Sequence, residues 1–417
     1  MFSVHRFRMP WLWCAAGLLA VGGVTLVAVV SANEPRVPQT PPPSLQEMLE
    51  GFDPRFHEQE GAFRVARLFD GRKAVLTLDP GLQAHLESEF RRFAVPFGSV
   101  VAIEPASGRL LAYVSYSSAN PSGADLARDP TPPTASVFKV VTAAALVDSG
   151  VSPSRTVCYG GGMSRVREQD LRDLPSRDRS CATLSEAMGG SINAVFAKLA
   201  DRHLDRERLS RYASAFGFGR QLPFDVPMLA SPGEIPEDRL EFARTAAGFW
   251  HMHMSPLHGA LLSATIANGG RMPRAAIVDR VVEADASISY RFQPEIVREV
   301  ISAATAQKTS RMMERTVTHG TARKAFHDRR GRPFLPGVRI AGKTGTLNGE
   351  HPYRGYTWWV GFAPAEAPEI AVAALVVNTP RWRIKASYVA REALRHYLIE
   401  RQRPTDGSIA TPPLAQR

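Results

Sequence analysis

The sequence predicts an α/β (α+β) domain: a central antiparallel sheet of about five strands flanked by helices, with a helical subdomain, preceded by one N-terminal transmembrane helix. Three observations carry this. Strand-like runs lie near both ends of the folded region, at 99–115 and 338–378, with a mostly helical and loop-like stretch, 150–300, between them. Residues 9–33 carry no charge and are long enough to cross a bilayer, which needs about 20 apolar residues. The 417 residues are 44% hydrophobic and 22% charged, a composition that supports a packed core.

Taken in order, residues 1–8 form a short cytoplasmic N-terminus, because Arg6 and Arg8 precede the apolar run and positive charge stays inside. Residues 9–32 are the membrane anchor. A cleaved signal ending near Ser31 is the other reading, although such apolar cores run to only about 7–15 residues. Cys14 follows the bulky Trp13, which fits a lipoprotein cleavage box poorly, and reads as an apolar membrane residue. Residues 33–73 are a proline-rich spacer, NEPRVPQTPPPS, and a lead-in with little signal. The folded domain spans 74–402. It opens with a strand, a turn at Asp79-Pro80 and a helix through 93, and continues with a hairpin around the turn PASG at 105–108. A polar loop, 117–133, leads into a helix that runs to about Asp148 and closes at Gly150. Residues 255–270 are a buried helix with Pro256 in its first turn. Three strands follow, at 338–349, 356–364 and 369–378, then an amphipathic helix over 385–402 and a disordered tail, 403–417.

The net charge of +11 favours an anionic surface. The basic residues are scattered, with no zinc-finger spacing and no RNA-motif aromatics, so no nucleic-acid partner is expected. Cys158 and Cys181 would lie outside the membrane, where a disulfide closing 159–180 and two buried free thiols both remain open.

The chemistry centres on TASVFKVV, 134–141. A lysine in so apolar a segment is costly unless something uses or pairs it. On a helix Ser136 and Lys139 share a face, and a buried lysine has a lowered pKa and can take a serine's proton. A capping serine beside a snorkelling lysine would give the same letters. Ser191 and Asn193 begin another helix, where a hydroxyl and an amide can relay a proton and hold a substrate amide. Lys343, Thr344, Gly345 and Thr346 sit on the first late strand. There a lysine and hydroxyls can bind a carboxylate, and Gly345 admits a substrate backbone.

SVFK at 136–139, SIN at 191–193 and KTG at 343–345 resemble, in order and spacing, the three signature elements of penicillin-binding proteins and serine β-lactamases. LTLDPGLQ (76–83), the hairpin around Glu104, SPLHGALLSATIANGG, HGTARKAF (319–326) and TWWVGFAP resemble stretches of penicillin-binding transpeptidase domains. The resemblance covers roughly 74–400. It implies that Ser136 is acylated and Lys139 is its base. Ser191 and Asn193 would serve the proton relay and the acyl side chain. Lys343, Thr344 and Thr346 would hold a carboxylate, and the N–H groups of Ser136 and Thr346 would form the oxyanion hole. Peptidoglycan stem peptides are the implied substrates, β-lactams the inhibitors, and a glycan-polymerising protein a partner; no cofactor and no metal are implied. The implied place is the cytoplasmic membrane, with the catalytic domain periplasmic.

The chain departs from the family in Ile192, where some relatives carry aspartate, and 33–73 is too short for a glycan-polymerising module. D,D-carboxypeptidase, serine β-lactamase and a catalytically silent scaffold of the cell-wall machinery compete with D,D-transpeptidase. No Glu-x-x-Leu-Asn segment follows Ser191, as class A lactamases require, while a class D-like enzyme would carry a carboxylated lysine at 139. Residues 337–344 also fit the phosphate-loop pattern G-x-x-x-x-G-K-[ST], but the intervening residues look like strand and Gly345 discourages the helix such a loop needs. His251, His253 and His258 lack a partnering cysteine or carboxylate constellation for a metal.

Overall fold

The computed structural model describes residues 44–350 and 352–400, so the expected anchor, the start of the spacer and the tail lie outside it. Among the described residues no helix is long and apolar enough to cross a membrane. The core is a five-stranded antiparallel sheet in the order Ala341–Glu350, Tyr353–Ala363, Ile370–Asn378, Phe97–Ile103, Leu110–Tyr116. The early hairpin and the three late strands thus meet in one sheet, whose edges are Leu110–Tyr116 and Ala341–Glu350.

Ile370–Asn378 is buried at every position, as a central strand covered on both faces must be. Its side chains alternate between two cores. Ala371, Ala373, Leu375 and Val377 join Leu257, Leu261 and the Ser136 segment, whereas Val372, Ala374 and Val376 join Leu82, Phe90 and Val389. The buried helix Pro256–Ala267 therefore covers one face, and Pro80–Arg92 and Ala386–Arg395 cover the other. Ser255 and Asp79 cap two of these helices, each followed by proline at the first turn, so Asp79-Pro80 is a helix start more than a free turn. The helical subdomain wraps Lys139–Asp148, which is buried from Lys139 through Val147.

Two expectations need correction. Residues 45–73 are folded: Glu58–Glu60 and Phe63–Arg67 pair antiparallel with Lys73–Leu76, and this ladder continues through Val278–Val282 and Ile288–Arg291 as a second five-stranded sheet. The folded unit begins at Ser44 instead of 74, and the strand at 73–76 belongs to this second sheet. Residues 150–300 also carry short strand pairs, Thr156–Tyr159 with Ser180–Thr183 and Arg271–Pro273 with Ile296–Glu299. Strands of three to five residues show too few alternations to register as a period, and their partners lie far away in sequence.

Asp225 fastens the loop after the helical subdomain to the second sheet. Its fully buried carboxylate accepts from the Ile277 and Val278 amides at 2.8 and 2.9 Å and from the Arg274 guanidinium at 2.7 Å. Asp225→Ala removes the acceptor of a half-buried guanidinium and of two buried amide donors. We expect it to lower unfolding free energy by about 3–5 kcal/mol in urea melts; a loss within experimental error would show that the carboxylate is not a tether.

Candidate active site

Ala135–Phe138 form a 3-10 turn that runs directly into the helix beginning at Lys139. In a 3-10 turn residues three apart eclipse one another, which stacks Lys139 over Ser136. Its Nζ lies 2.8 Å from Ser136 Oγ. Two close approaches shape this turn. Gly248, at φ +81°, has no room for a Cβ, which would stand 2.8 Å from Ser136 Cα and 2.5 Å from the Ala135 carbonyl oxygen. Ala135 itself sits at φ +51°, a left-handed conformation uncommon for a residue with a Cβ.

The Lys139 amine is fully buried. Besides Ser136 Oγ it meets the Asn193 side-chain oxygen at 2.6 Å and the Ala247 carbonyl. Burial, with the nearby Lys343 charge as the smaller cause, pushes its pKa well below the ordinary lysine value. Both carbonyl partners can only accept. A neutral amine donates its two N–H bonds to them and leaves its lone pair for the Ser136 hydroxyl proton.

Asn193 is aimed by its neighbours. Ser191 takes a left-handed conformation at φ +55° between two helices, and Asn193 opens the second, Asn193–His203. Its side-chain NH₂ donates to the Met163 carbonyl, which leaves the oxygen for Lys139. Met163 lies in the 159–180 loop. Cys158 and Cys181, paired across adjacent strands, are bonded and close that loop. Buried Lys198 anchors it further, donating to the Cys158 carbonyl at 2.8 Å and to Asp178 at 2.5 Å. Neither Met163 nor Lys198 is conspicuous in the sequence, because loop contacts have no period.

Lys343 reaches in from the strand Ala341–Glu350. It is fully buried, and burial pushes its pKa down to about 7. Its Nζ donates to Ser191 Oγ at 2.9 Å and to the Thr344 carbonyl at 2.7 Å. Gly345 lies against the serine turn: a Cβ there would stand 3.1 Å from both Ala135 Cβ and the Thr134 oxygen. The turn and the strand are tied together by Trp358, whose indole N–H donates to the Pro133 carbonyl at 2.8 Å.

Ser136, Ser191, Asn193, Thr344, Gly345 and Thr346 line one cleft of about 520 Å³, with Lys139 and Lys343 buried beneath them. Thr321, Lys324, Thr357 and Lys385 also line it. They were not singled out from sequence, since they lie in a short loop-helix, on a strand and at a helix start that announce no chemistry.

The other candidate sites come out differently. The strand holding Lys343 runs straight on to Glu350 and turns into its hairpin partner, so no helix points at a phosphate. His251 meets Glu241, His253 the Thr131 carbonyl and His258 the Phe216 carbonyl, three separate places. Burial pushes His258 down to about 4. Among the described residues no group of three His, Cys, Asp or Glu side chains is placed to hold a metal.

The chain is similar to known proteins. The profile described as the penicillin-binding protein transpeptidase domain matches residues 98–397. The peptidoglycan D,D-transpeptidase PbpA of Mycobacterium tuberculosis is 31% identical over 318 residues, which cover 67% of this chain and 62% of that protein. The chain therefore spans less than two thirds of that relative's length. The crystal structure of PBPA from the same organism superposes with a TM-score of 0.66 at 26% identity, covering 79% of this chain and 83% of that one. A penicillin G acyl-enzyme complex of M. tuberculosis penicillin-binding protein A gives 0.62 at 25% identity, covering 78% and 80%.

The fit between residue 248 and the serine turn is testable. Gly248→Ala adds a methyl against backbone at a positive φ. It should cost about 1–3 kcal/mol of stability by denaturant melt. A neutral substitution would mean that the turn tolerates displacement.

Proposed function

Because the chain belongs to the penicillin-binding protein transpeptidase family, we propose that it is a serine D,D-transpeptidase that cross-links peptidoglycan stem peptides through an acyl-enzyme on Ser136. The carrying observation is the 2.8 Å contact between Ser136 Oγ and a buried amine whose other partners are acceptors. In this reading neutral Lys139 takes the hydroxyl proton as Oγ attacks the donor peptide's carbonyl carbon. The amide N–H groups of Ser136 and Thr346 receive the developing oxyanion. The C–N bond then breaks, and the leaving amine recovers a proton through Lys139 or the Ser191–Lys343 pair, whose atoms lie 2.9 Å apart. An amine from a neighbouring strand attacks the ester and regenerates Ser136. Asn193 holds Lys139 and faces the acyl side chain, while Thr344 and Thr346 take the terminal carboxylate. β-Lactams would acylate the same oxygen.

Two observations favour cross-linking over rapid drug hydrolysis. No Asp or Glu among the described residues lines the cleft to hold an attacking water as a base. A carboxylated lysine at 139 would put negative charge against the Asn193 and Ala247 oxygens, which is unfavourable. The uncharged residues 9–33 and the prolines after them support a single-pass anchor with the domain in the periplasm, near the membrane and in reach of a glycan-polymerising partner. A disulfide suits that oxidising space.

Mass spectrometry over time separates the alternatives. The chain should form a long-lived 1:1 adduct with benzylpenicillin on Ser136; fast release of hydrolysed drug would indicate a lactamase, and no adduct a silent scaffold. Lys139→Ala should slow acylation by about 10²–10⁴-fold without unfolding the protein.

The pH dependence has a fixed sign. Lys139 works as the free base, and burial lowers its pKa. The acylation rate should therefore fall as pH drops through the depressed Lys139 range and level off above it. A rate that rises with acid would remove the amine as base.

A further inference from the structure

The cleft carries positive charge that this reaction leaves unused. Lys324 and Lys385 line it alongside Ser136 and the two threonines of the late strand. Both lysines are exposed, and no carboxylate pairs with either among the described residues. The Lys385 amine lies 5.4 Å from the Trp382 ring centroid, which orients the cation without neutralising it.

Their backbones are held against the reacting strand. The Thr321 and Thr344 hydroxyls hydrogen-bond, tying the loop before the Lys324 helix to one point of that strand. The amide of Ala386, next to Lys385, donates to Thr357 Oγ1 at 3.1 Å, and Thr357 stands opposite Thr346. Thr344 and Thr346 are two residues apart on one strand face, about 7 Å. The two lysines are thus attached at successive positions along the strand.

Lys343 is a different kind of cation. It is sealed from solvent, and with its pKa pushed to about 7 it is only partly charged at neutral pH. Lys324 and Lys385 instead stand exposed at the cleft wall, open to a ligand. In the transpeptidase reading one chain-terminal carboxylate is already served by Thr344 and Thr346. A cleft with two further charged ammonium groups and no acid suits a ligand with more than one anion.

We propose that Lys324 and Lys385 are specificity-determining residues that bind a second carboxylate of the acyl donor, one carried on its side chain and not at its end. This rests on the transpeptidase reading and narrows its substrate class to donor peptides with a free acidic side-chain group, as opposed to amidated ones.

The test compares two penicillins that differ by one side-chain carboxylate, carbenicillin and benzylpenicillin. Second-order acylation rate constants are measured by mass spectrometry on the full chain, for the unmodified protein, K324Q, K385Q and the double variant. Glutamine keeps much of the stem and a polar tip, and thermal melts check folding. The carbenicillin-to-benzylpenicillin ratio should fall about three- to tenfold in the double variant, with a smaller effect at high salt. Equal slowing of both drugs would assign the lysines to the carboxylate that both share, and would overturn the inference while leaving the transpeptidase reading intact. Unchanged rates for both would overturn it as well. No adduct with either drug on the unmodified protein would remove the reading beneath it, and the inference with it.

Discussion

The burial of the Lys139 amine is the constraint around which the rest is arranged. A lysine taken wholly out of water strongly disfavours its charged form, and any charge that remains must be met by oxygen atoms. Here three elements supply those oxygens: the serine turn, the Asn193 helix start and the backbone at Ala247. Each must arrive within hydrogen-bonding distance of one nitrogen. That requirement explains why Gly248 presses on the serine turn and why Asn193 has its own carbonyl partner at Met163. Lys343, buried nearby, adds a second reason for Lys139 to remain neutral.

The scaffold converts this local demand into a durable arrangement. The central sheet brings the strand carrying Lys343 beside a turn two hundred residues earlier, and Trp358 fixes that contact through the Pro133 carbonyl. Alternation along Ile370–Asn378 lets one strand anchor both cores. The disulfide-closed 159–180 loop acts from the other direction. It reaches the reacting groups through Asn193 and decides which way that amide faces. Electrostatics are split in the same way: two amines are buried, which lowers their pKa values, and two lysines stand exposed at the cleft wall with no acidic partner among the described residues.

Much of this was legible in the letters alone. The hairpin, the three late strands and the final helix appear in the chain close to where periodicity put them, because long runs with a covered face have a strong period. Ser136, Lys139, Ser191, Asn193, Lys343, Thr344, Gly345 and Thr346 stand out through the resemblance of three motifs, in order, to one family; Ser-x-x-Lys alone also reads as a capping serine beside a snorkelling lysine. The second sheet was not legible. Glu58–Glu60 is polar, and its sheet is completed by residues beyond 277, so nothing local marks it as structure.

By itself the sequence determined the fold class, the order of the main elements and the residue types available for nucleophilic chemistry, because patterning and side-chain identity are local properties. The tertiary structure alone decided that Ser136 lies on a 3-10 turn, that the two lysines are fully buried, that Asn193 is oriented through Met163, and that Lys324 and Lys385 share the same cleft. The reason is physical: desolvation and hydrogen-bond direction depend on which distant atoms surround a group, and no window along the chain contains those atoms.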